Sequence, residues 1–290
     1  MVRRVVGSLT TLPKRIDSLE PTLRSIIEQT ATLDAIYLNV PHTTLKGDSY
    51  TLPPFLFKEP YASIITVQRC HDYGSITKII PTLDVEVDDT TLIITFDDDV
   101  IYKPFVVSNL LKGIERHPMS CVGISGWVLG TFPFNYELVK FVGTDREVDW
   151  LQGTHSVCYN RRFLKRNELL AHMDIPLDFH MQDDHILSFY VEKNGGTKYV
   201  VESDNPIENR ESVRHIDDIS GRSGFASQVA DLCTILRRKG YYNAPATIHR
   251  TFGFWVLISA TVLSYGVYVI YRFYTKRERT ERSPQIEEVD

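Results

Sequence analysis

The order of apolar segments predicts an α/β protein whose mixed, mainly parallel sheet is flanked by helices. A short strand pattern at residues 5–9 is followed by a helical pattern and then by two further strand patterns. A β-branched run at residues 91–96 ends abruptly in three acids, as a buried strand does where it emerges from a sheet. The chain has 290 residues, 43% of them hydrophobic, so it can bury one sizeable core.

The first half of the chain is expected to alternate strand, helix, strand and strand. Apolar residues recur at helical spacing over 16–27, where Ser18 is a suitable cap and Pro21 is tolerated in the first turn. Strands are expected at 35–40, ending before Pro41, and at 63–67. Glycine and prolines mark residues 43–60 as a surface excursion.

The second half is expected to contain further strands and helices in less regular order. The elements predicted there are a helix from Pro104, a strand at 121–127, a loop at 128–145, a strand ending at Gly153, a basic helix at 160–171, a helix after residue 182, a strand at 197–201, a polar flap at 203–223 and an amphipathic helix at 225–236.

Three consecutive acids, Asp97, Asp98 and Asp99, stand where the strand of residues 91–96 emerges. The carboxyl edge of an α/β sheet is where ligands bind, and adjacent carboxylates repel one another unless a cation lies among them. Carboxylate oxygens suit Mn²⁺ and Mg²⁺. We therefore predict a metal site formed by Asp97, Asp98 and Asp99. A solvated acidic turn is the alternative, because acids are common in turns.

Residues 69–78 place polar side chains around Gly74 and end at Lys78, between the third and fourth predicted strands. Such a loop can approach a phosphate through backbone N–H groups and neutralise it with the lysine. Taken alone, the pattern fits an ordinary turn equally well. Beside the acids, it indicates a diphosphate held by a metal on one side and by Lys78 on the other.

A second pair of acids, Asp183 and Asp184, opens an apolar helical pattern. The pair stands just before or at the first turn of that helix. Aspartate is favoured at helix N-caps and in first turns, so one of the two is expected to serve the helix itself.

Two other features of the sequence each allow two interpretations. His215, in the polar segment 203–223, is either a further metal ligand or an exposed loop histidine. Three aromatic residues of the predicted loop either stack on sugar rings or pack against the surface; they are Phe132, Phe134 and Tyr136.

Composition excludes several classes of protein. The formal net charge of −5 argues against a general nucleic-acid surface. The four cysteines show no C-x-x-C spacing, so we expect reduced, mostly buried thiols and neither a zinc site nor a disulfide framework. The apolar run before Ser8 is too short for a signal peptide, and there is no Asn-x-Ser/Thr sequon.

Twenty residues without a charge, 252–271, predict a C-terminal transmembrane helix. Trp255 and several tyrosines suit the membrane interfaces, although a buried core helix is the alternative. The expected organisation is a catalytic domain at 1–240, a linker at 241–251, the span, and a charged tail at 272–290. Without a signal peptide, we expect a single-pass membrane protein with its catalytic domain on the cytosolic side.

Together the motifs resemble those of GT-A-fold nucleotide-sugar glycosyltransferases, over about residues 3–240. The segment from Asp72-Tyr73-Gly74 to Lys78 is similar to the family's D-Y-G-x-x-T-K block, and Asp97-Asp98-Asp99 to its D-x-D motif. Gln182-Asp183-Asp184 stands where many members carry x-E-D, with Asp183 in place of glutamate. Among these enzymes, the chain resembles the small glycosyltransferases that large algal viruses encode for building capsid glycans.

The resemblance implies a single GT-A domain that binds a nucleotide sugar, with UDP-sugars as the expected donors, and transfers a hexose or pentose to a glycan or glycoprotein acceptor. The residues expected to contact the nucleotide are Ser8, Thr10, Thr11, Arg15, Asp72, Tyr73, Lys78 and Asp98. The cofactor would be Mn²⁺ or Mg²⁺ on Asp97 and Asp99. Asp184 is the expected catalytic base, with Asp183 as the alternative.

Metal on one side of the anomeric carbon and a base on the other favour direct displacement with inversion. Two other classes of function stay open from the sequence. A metal-dependent phosphotransferase or hydrolase would use an acidic strand end in a similar way. A membrane-tethered module that binds sugar nucleotides without turnover is the second.

Overall fold

The computed structural model describes residues 3–129, 136–171 and 183–209. Within these ranges the strands are β1 Val5–Thr10, β2 Ala35–Pro41, β3 Ile65–Cys70, β4 Leu92–Thr95, β5 Ile101–Tyr102, β6 Ser120–Gly123, β7 Ser125–Leu129, β8 Tyr136–Lys140, β9 Arg146–Glu147, β10 Trp150–Leu151, β11 Val157–Asn160, β12 Thr197–Val200 and β13 Ile207–Asn209. The α-helices are α1 Glu20–Ile27, α2 Tyr61–Ile64, α3 Ile80–Val85, α4 Val106–Arg116, α5 Arg166–Leu170 and α6 Asp183–Lys193.

The main sheet has eight strands in the order β3-β2-β1-β4-β11-β6-β12-β9. Neighbours are parallel from β3 through β4 and again between β6 and β12, whereas β11 runs antiparallel to both β4 and β6, and β9 runs antiparallel to β12. Smaller antiparallel sheets join β10-β7-β8 and β13-β5. The predicted α/β class with a mixed, mainly parallel sheet is confirmed.

Helices cover both faces of the main sheet. Along β4, Leu92 and Ile94 pack into one apolar cluster and Ile93 into the other, because successive side chains of a strand point to opposite faces. The first cluster contains the buried faces of α1 and α4, and the second contains those of α3, α5 and α6. This double covering explains why β4 reads as a continuous apolar run.

The first helix lies where the sequence predicts it, but its cap differs. A 3₁₀ turn, Ile16–Ser18, precedes α1, and Pro21 lies in the first turn of α1 as expected. The residue that caps α1 is Leu19, and it uses no side chain. The Ser18 hydroxyl donates instead to the Arg15 carbonyl at 2.9 Å, so the predicted Ser18 cap is wrong.

The second and third strands differ from their predicted bounds. Pro41 is the last residue of β2, since a missing N–H group is tolerated at the end of a strand. Residues 61–64 form α2, so β3 begins only at Ile65 and then continues to Cys70. Residues 69 and 70 therefore belong to a strand and not to the predicted loop.

Most differences lie after residue 120. The predicted strand 121–127 is two strands, β6 and β7, which belong to different sheets. The predicted loop 128–145 contains β8, which pairs with β7 over five residues. The strand predicted to end at Gly153 is reduced to the two residues of β10, and Gly153 begins a 3₁₀ turn, Gly153–His155.

The predicted basic helix at 160–171 is also wrong. Asn160 ends β11, which lies beside β4 in the main sheet, and a 3₁₀ turn, Arg161–Phe163, separates it from α5. The Arg161 guanidinium donates to the Glu86 carbonyl at 2.8 Å and to Asp89 at 2.7 Å. This arginine is therefore held against a neighbouring loop and does not line a helix face.

Several predictions fall on parts of the chain outside the described ranges. They concern Phe132, Phe134, Gln182, Cys233, His215, the helix at 225–236, the linker, the membrane span and the charged tail. In the described ranges, no helix has the length and apolar character needed to cross a membrane. The other three cysteines are unpaired thiols, as predicted, and Cys121 and Cys158 among them are buried.

Candidate active site

The three consecutive acids begin one residue after β4, at the carboxyl edge of the main sheet. Their position is fixed in part by the Asp97 N–H group, which donates to the buried Tyr102 hydroxyl at 2.8 Å. The side chains differ in exposure: 26% for Asp97, 10% for Asp98 and 40% for Asp99. Asp97 and Asp99 are therefore more accessible than the acid between them.

Asp98 is turned into the protein. Its carboxylate accepts hydrogen bonds from the Arg15 guanidinium and the Thr11 hydroxyl, both at 2.7 Å. Its carbonyl accepts from the Thr22 hydroxyl at 3.3 Å. These contacts bring together three residues predicted to bind the nucleotide, and they attach the segment after β1 to the acidic turn.

Ser8 and Thr10, two other residues predicted to contact the nucleotide, hold neighbouring backbone. Ser8 has no exposed surface, and its hydroxyl donates to the Lys78 carbonyl. Asn39 donates to the same carbonyl at 3.3 Å. The Thr10 hydroxyl donates to the Asn39 carbonyl at 2.8 Å. The Ser8 side chain is thus closed to a ligand, and it fixes the backbone that carries Lys78.

The loop between β3 and α3 is organised by Asp72. One carboxylate oxygen accepts from the Gly74 N–H group at 2.9 Å and from the Thr77 hydroxyl at 3.3 Å. The other accepts from the Leu45 N–H group at 2.8 Å. Gly74 has a φ of +72°, which L side chains rarely adopt. The loop then turns through Ile76–Lys78 and presents Lys78 to the acids.

Tyr73, also predicted at the nucleotide, packs its ring edge-on against His71, with 5.0 Å between ring centroids. The Tyr73 N–H group donates to the Thr77 hydroxyl at 2.8 Å. The ring is half-buried beside the loop that carries Lys78.

Lys78 joins the two groups of acids. Its ammonium nitrogen lies 3.0 Å from an Asp97 oxygen and 3.1 Å from an Asp183 oxygen. The residue is buried, and burial alone would lower the pKa of its ammonium group. The charges of Asp183, Asp97 and Asp184 outweigh that effect and raise the pKa well above its usual value. Lys78 is therefore a permanent cation between the strand end and the helix start.

Asp184 is held by the backbone of Gly153. The Gly153 N–H group donates to the Asp184 carboxylate at 2.9 Å. A Cβ atom at Gly153 would lie 2.7 Å from the same oxygen, closer than real Cβ contacts allow, and 3.7 Å from the Lys78 nitrogen. Glycine at this position therefore lets the backbone approach the carboxylate closely enough to fix it.

The surroundings of Asp184 favour its neutral form. Burial and then the charge of Asp183 raise the pKa of Asp184 to about 8, against the opposing effects of Lys78 and the Gly153 hydrogen bond. A carboxylate poised near neutral pH is suited to exchange a proton with a ligand. Asp183 differs because its carboxylate pairs directly with Lys78.

The start of α6 is anchored to β10. The Leu151 N–H group donates to the Ser188 hydroxyl at 2.9 Å, and the His185 ring lies on the Trp150 ring with 4.8 Å between centroids. Burial lowers the pKa of His185 to about 4, despite the charge of Asp183, so this imidazole is neutral at pH 7. These contacts hold the acid pair in place against β10.

The acids after β4 offer ligand atoms that suit a divalent cation, but they offer few of them. Asp97 and Asp99 supply carboxylate oxygens, which Mn²⁺ and Mg²⁺ accept as ligands. Within residues 3–129, 136–171 and 183–209, no group of three or more His, Cys, Asp or Glu side chains is arranged to hold a metal ion. A cation held by Asp97 and Asp99 would therefore take most of its ligands from a bound molecule and from water, as is usual for Mg²⁺ with phosphates.

The structure places several of the predicted site residues in contact, and it adds two residues that the sequence does not predict. The positioning roles of Gly153 and Tyr102 have no signal beyond a glycine at a strand end and a tyrosine after the acids. The pairing of Asp183 with Lys78 is also missed, because nothing in the sequence relates a loop lysine to a distant helix start.

No family model matches the chain, and no curated protein matches it. Solved structures that are similar in part include the following two. One is the crystal structure of GalNAc-T7 with UDP, GalNAc and Mn²⁺, with a TM-score of 0.46 and 11% identity over 69% of this chain and 43% of that chain. The other is S. aureus TarS 1–349 in complex with UDP, with a TM-score of 0.48 and 14% identity over 70% of this chain and 59% of that chain.

The matches span less than two thirds of either of those chains, and both TM-scores lie below 0.5. The α/β assignment therefore rests on the strand order of this chain.

Proposed function

We propose that the protein is a metal-dependent glycosyltransferase that moves a sugar from a nucleotide sugar to a hydroxyl group of a glycan, with inversion at the anomeric carbon. UDP-sugars are the first donors to test. The observation that supports this proposal most is the meeting of two acid groups, at the end of β4 and the start of α6, on one buried lysine.

The two acid groups suit the two needs of such a reaction. The acceptor hydroxyl must lose a proton as its oxygen bonds to the anomeric carbon, and the bond from that carbon to the diphosphate must break. Asp184 is the proposed base, because its raised pKa matches proton uptake near neutral pH. Lys78 supplies a positive charge for the departing diphosphate.

A divalent cation, when bound to Asp97 and Asp99, would supply Lewis-acid neutralisation of the leaving group. Arg15 and Thr11 hold Asp98, and thereby the turn that carries both proposed ligands. Asp72 shapes the loop of Lys78 through its three hydrogen bonds. In this proposal Ser8, Thr10 and Asp72 position the site, and contact with the nucleotide falls to Lys78, Tyr73 and the acidic turn.

The experiment that tests the proposal is a panel of UDP- and GDP-sugars, assayed by calorimetry with Mn²⁺, with Mg²⁺ and with chelator. Metal-dependent binding of one donor, followed by transfer to a glycan acceptor, would support the glycosyltransferase. Hydrolysis of the donor that outpaces transfer would favour a hydrolase instead. Binding without any turnover would favour a sugar-nucleotide-binding module.

We also propose that residues 252–271 anchor the protein in a membrane, with the catalytic domain facing the cytosol. The support is the uncharged twenty-residue run alone. Deleting residues 250–290 should release an enzyme that still binds its donor. Recovery of the full-length chain in the soluble fraction would contradict the anchor, and protease protection of the domain in intact microsomes would contradict the orientation.

A further inference from the structure

We propose that the Lys78 ammonium group and a divalent cation compete for the same carboxylates, so that the metal enters this site only together with the diphosphate of the donor. This inference rests on the proposed function, since it takes a nucleoside diphosphate as the ligand. It states which cation, the lysine or the metal, contacts the carboxylates before and after the donor binds.

Lys78 is already paired with two carboxylates in the free protein. The ammonium nitrogen lies within 3.1 Å of both Asp97 and Asp183, and the side chain of Lys78 is only 11% exposed. A cation bound to Asp97 would meet this positive charge a few ångströms away, where little water screens it. The free protein therefore already holds a counter-ion where the metal has to bind.

The acidic turn also offers few protein ligands to a metal ion. Arg15 lies 2.7 Å from Asp98 and 3.5 Å from Asp99, so a second cationic side chain also partly neutralises the acidic turn. In the described part of the chain, no cluster of three metal-binding side chains is present. We therefore expect a metal ion without a diphosphate to bind only weakly to two carboxylates that already face ammonium or guanidinium groups.

A bound diphosphate would offset both the competing charge of Lys78 and the small number of metal ligands. Its oxygens add ligands for the metal, and its negative charge gives the ammonium group a new partner. The Lys78 backbone is fixed by Ser8 and Asn39, which both donate to its carbonyl, so the flexible side chain is the part that can move. Lys78 would then exchange Asp97 for phosphate as the metal takes its place.

This exchange predicts two effects of opposite sign for one substitution. Lys78→Met keeps an unbranched side chain of similar length but removes the charge. We expect it to raise the affinity of the free protein for Mn²⁺ alone by about tenfold or more, because the competing cation is gone. We expect the same variant to bind UDP in the presence of Mn²⁺ about tenfold more weakly, because the phosphate partner is gone.

The test measures Mn²⁺ binding by electron paramagnetic resonance of the free ion, with and without UDP, on full-length protein. Lys198→Met is the matched control: Lys198 lies on β12, is also buried, and is ion-paired with Glu192 at 2.6 Å. Both readings should be unchanged in this control. Thermal unfolding of each variant confirms that it is folded.

A second pair of variants covers the case in which Lys78→Met does not fold, since it leaves two carboxylates without their partner. Asp183→Asn and Lys78→Met with Asp183→Asn differ only in the lysine, and the double variant restores the charge balance of the wild type. The double variant should bind Mn²⁺ about tenfold more tightly than Asp183→Asn alone.

The outcomes separate a failure of the exchange from a failure of the proposed function. Stronger Mn²⁺ binding with weaker UDP binding supports the exchange. Unchanged or weaker Mn²⁺ binding on removal of the lysine overturns the exchange. If the wild type binds UDP with Mn²⁺ in the same series of measurements, the proposed function still stands. Failure of the wild type to bind any nucleotide diphosphate with Mn²⁺ overturns the proposed function itself.

Discussion

The two groups of acids contain the same residue type in different surroundings. At the end of β4, Asp97 and Asp99 are partly exposed and lie near cationic side chains. At the start of α6, Asp184 is held by a backbone N–H group, and burial raises its pKa to about 8. The first group is suited to bind a cation and the second to accept a proton. Environment, and not residue type, separates the two roles.

A single lysine connects these two environments. Lys78 neutralises one acid from each group, Asp97 and Asp183, and leaves Asp184 as the acid whose pKa is raised. This arrangement explains how five acids can lie close together in a folded protein. It also implies that changes in the first group should affect donor binding, while changes around Asp184 should affect turnover.

The largest expected effect is on turnover. Asp184→Asn should retain metal-dependent donor binding but slow transfer by about 10²–10⁴-fold, the usual contribution of a general base. In the wild type, the transfer rate should rise with pH through the pKa of Asp184, because only the ionised carboxylate accepts a proton. Single-turnover rates measured across the pH range check both points. Full activity in Asp184→Asn, or a product with retained anomeric configuration, would contradict the assignment.

Metal removal should act on the other group. Asp99→Ala removes a proposed metal ligand and chelation removes the metal, so either should weaken binding of the nucleotide sugar by about 10²-fold, because no metal ion then bridges the diphosphate and the acidic turn. Calorimetric titration of a UDP-sugar, with and without Mn²⁺, measures this loss. Equal affinity in chelated and metal-loaded protein would remove the metal from the proposed mechanism.

A smaller effect is expected from the backbone that holds the base. Gly153→Ala would place a methyl group 2.7 Å from the Asp184 carboxylate, which must then move. We expect turnover to fall by about 10–100-fold, because small displacements of a catalytic group are costly, with donor affinity nearly unchanged. Gly143→Ala is the control, since a Cβ atom there meets nothing within 4 Å. Equal losses in both variants would argue against a positioning role for Gly153.

An acid outside both groups should affect stability alone. Arg116, His117 and the Glu202 N–H group bind the Asp145 carboxylate, and these bonds outweigh its burial and lower its pKa from 3.8 to about 2. Because the folded pKa is depressed, the stabilisation is present above about pH 4 and is lost as the pH falls toward 2.

The depressed pKa corresponds to about 2 kcal/mol of folding free energy. Urea unfolding at pH 6 and pH 3 should therefore show a smaller pH dependence for Asp145→Asn than for the wild type. Donor affinity at pH 7 should be unchanged in this variant. A loss of donor binding in folded Asp145→Asn would mean that the cluster contributes to the site.

Elements with a strong local signal follow from the sequence alone. The apolar run of β4 and the three acids after it are enough to identify the carboxyl edge of the sheet. The pattern after residue 182 predicts α6, and residues 197–201 predict the strand found at Thr197–Val200. Each of these elements has strong periodicity or composition of its own, so its prediction needs no distant partner.

Other elements depend on distant partners and form only in the folded chain. The short run Val157–Asn160 is a strand because β4 and β6 lie on either side of it, and Tyr136–Lys140 is a strand because β7 pairs with it. A few apolar residues between polar ones carry little signal alone, since the free energy of strand formation comes largely from cross-strand contacts.

The same reasoning applies to the site. Sequence motifs identify Lys78, Asp97, Asp183 and Asp184, because their residue types and local order are informative. Folding brings Lys78 between two carboxylates and places the Gly153 N–H group on Asp184. Charge and burial act through space, so the distinction between an acid that pairs with a cation and an acid whose pKa is raised arises only in the folded chain.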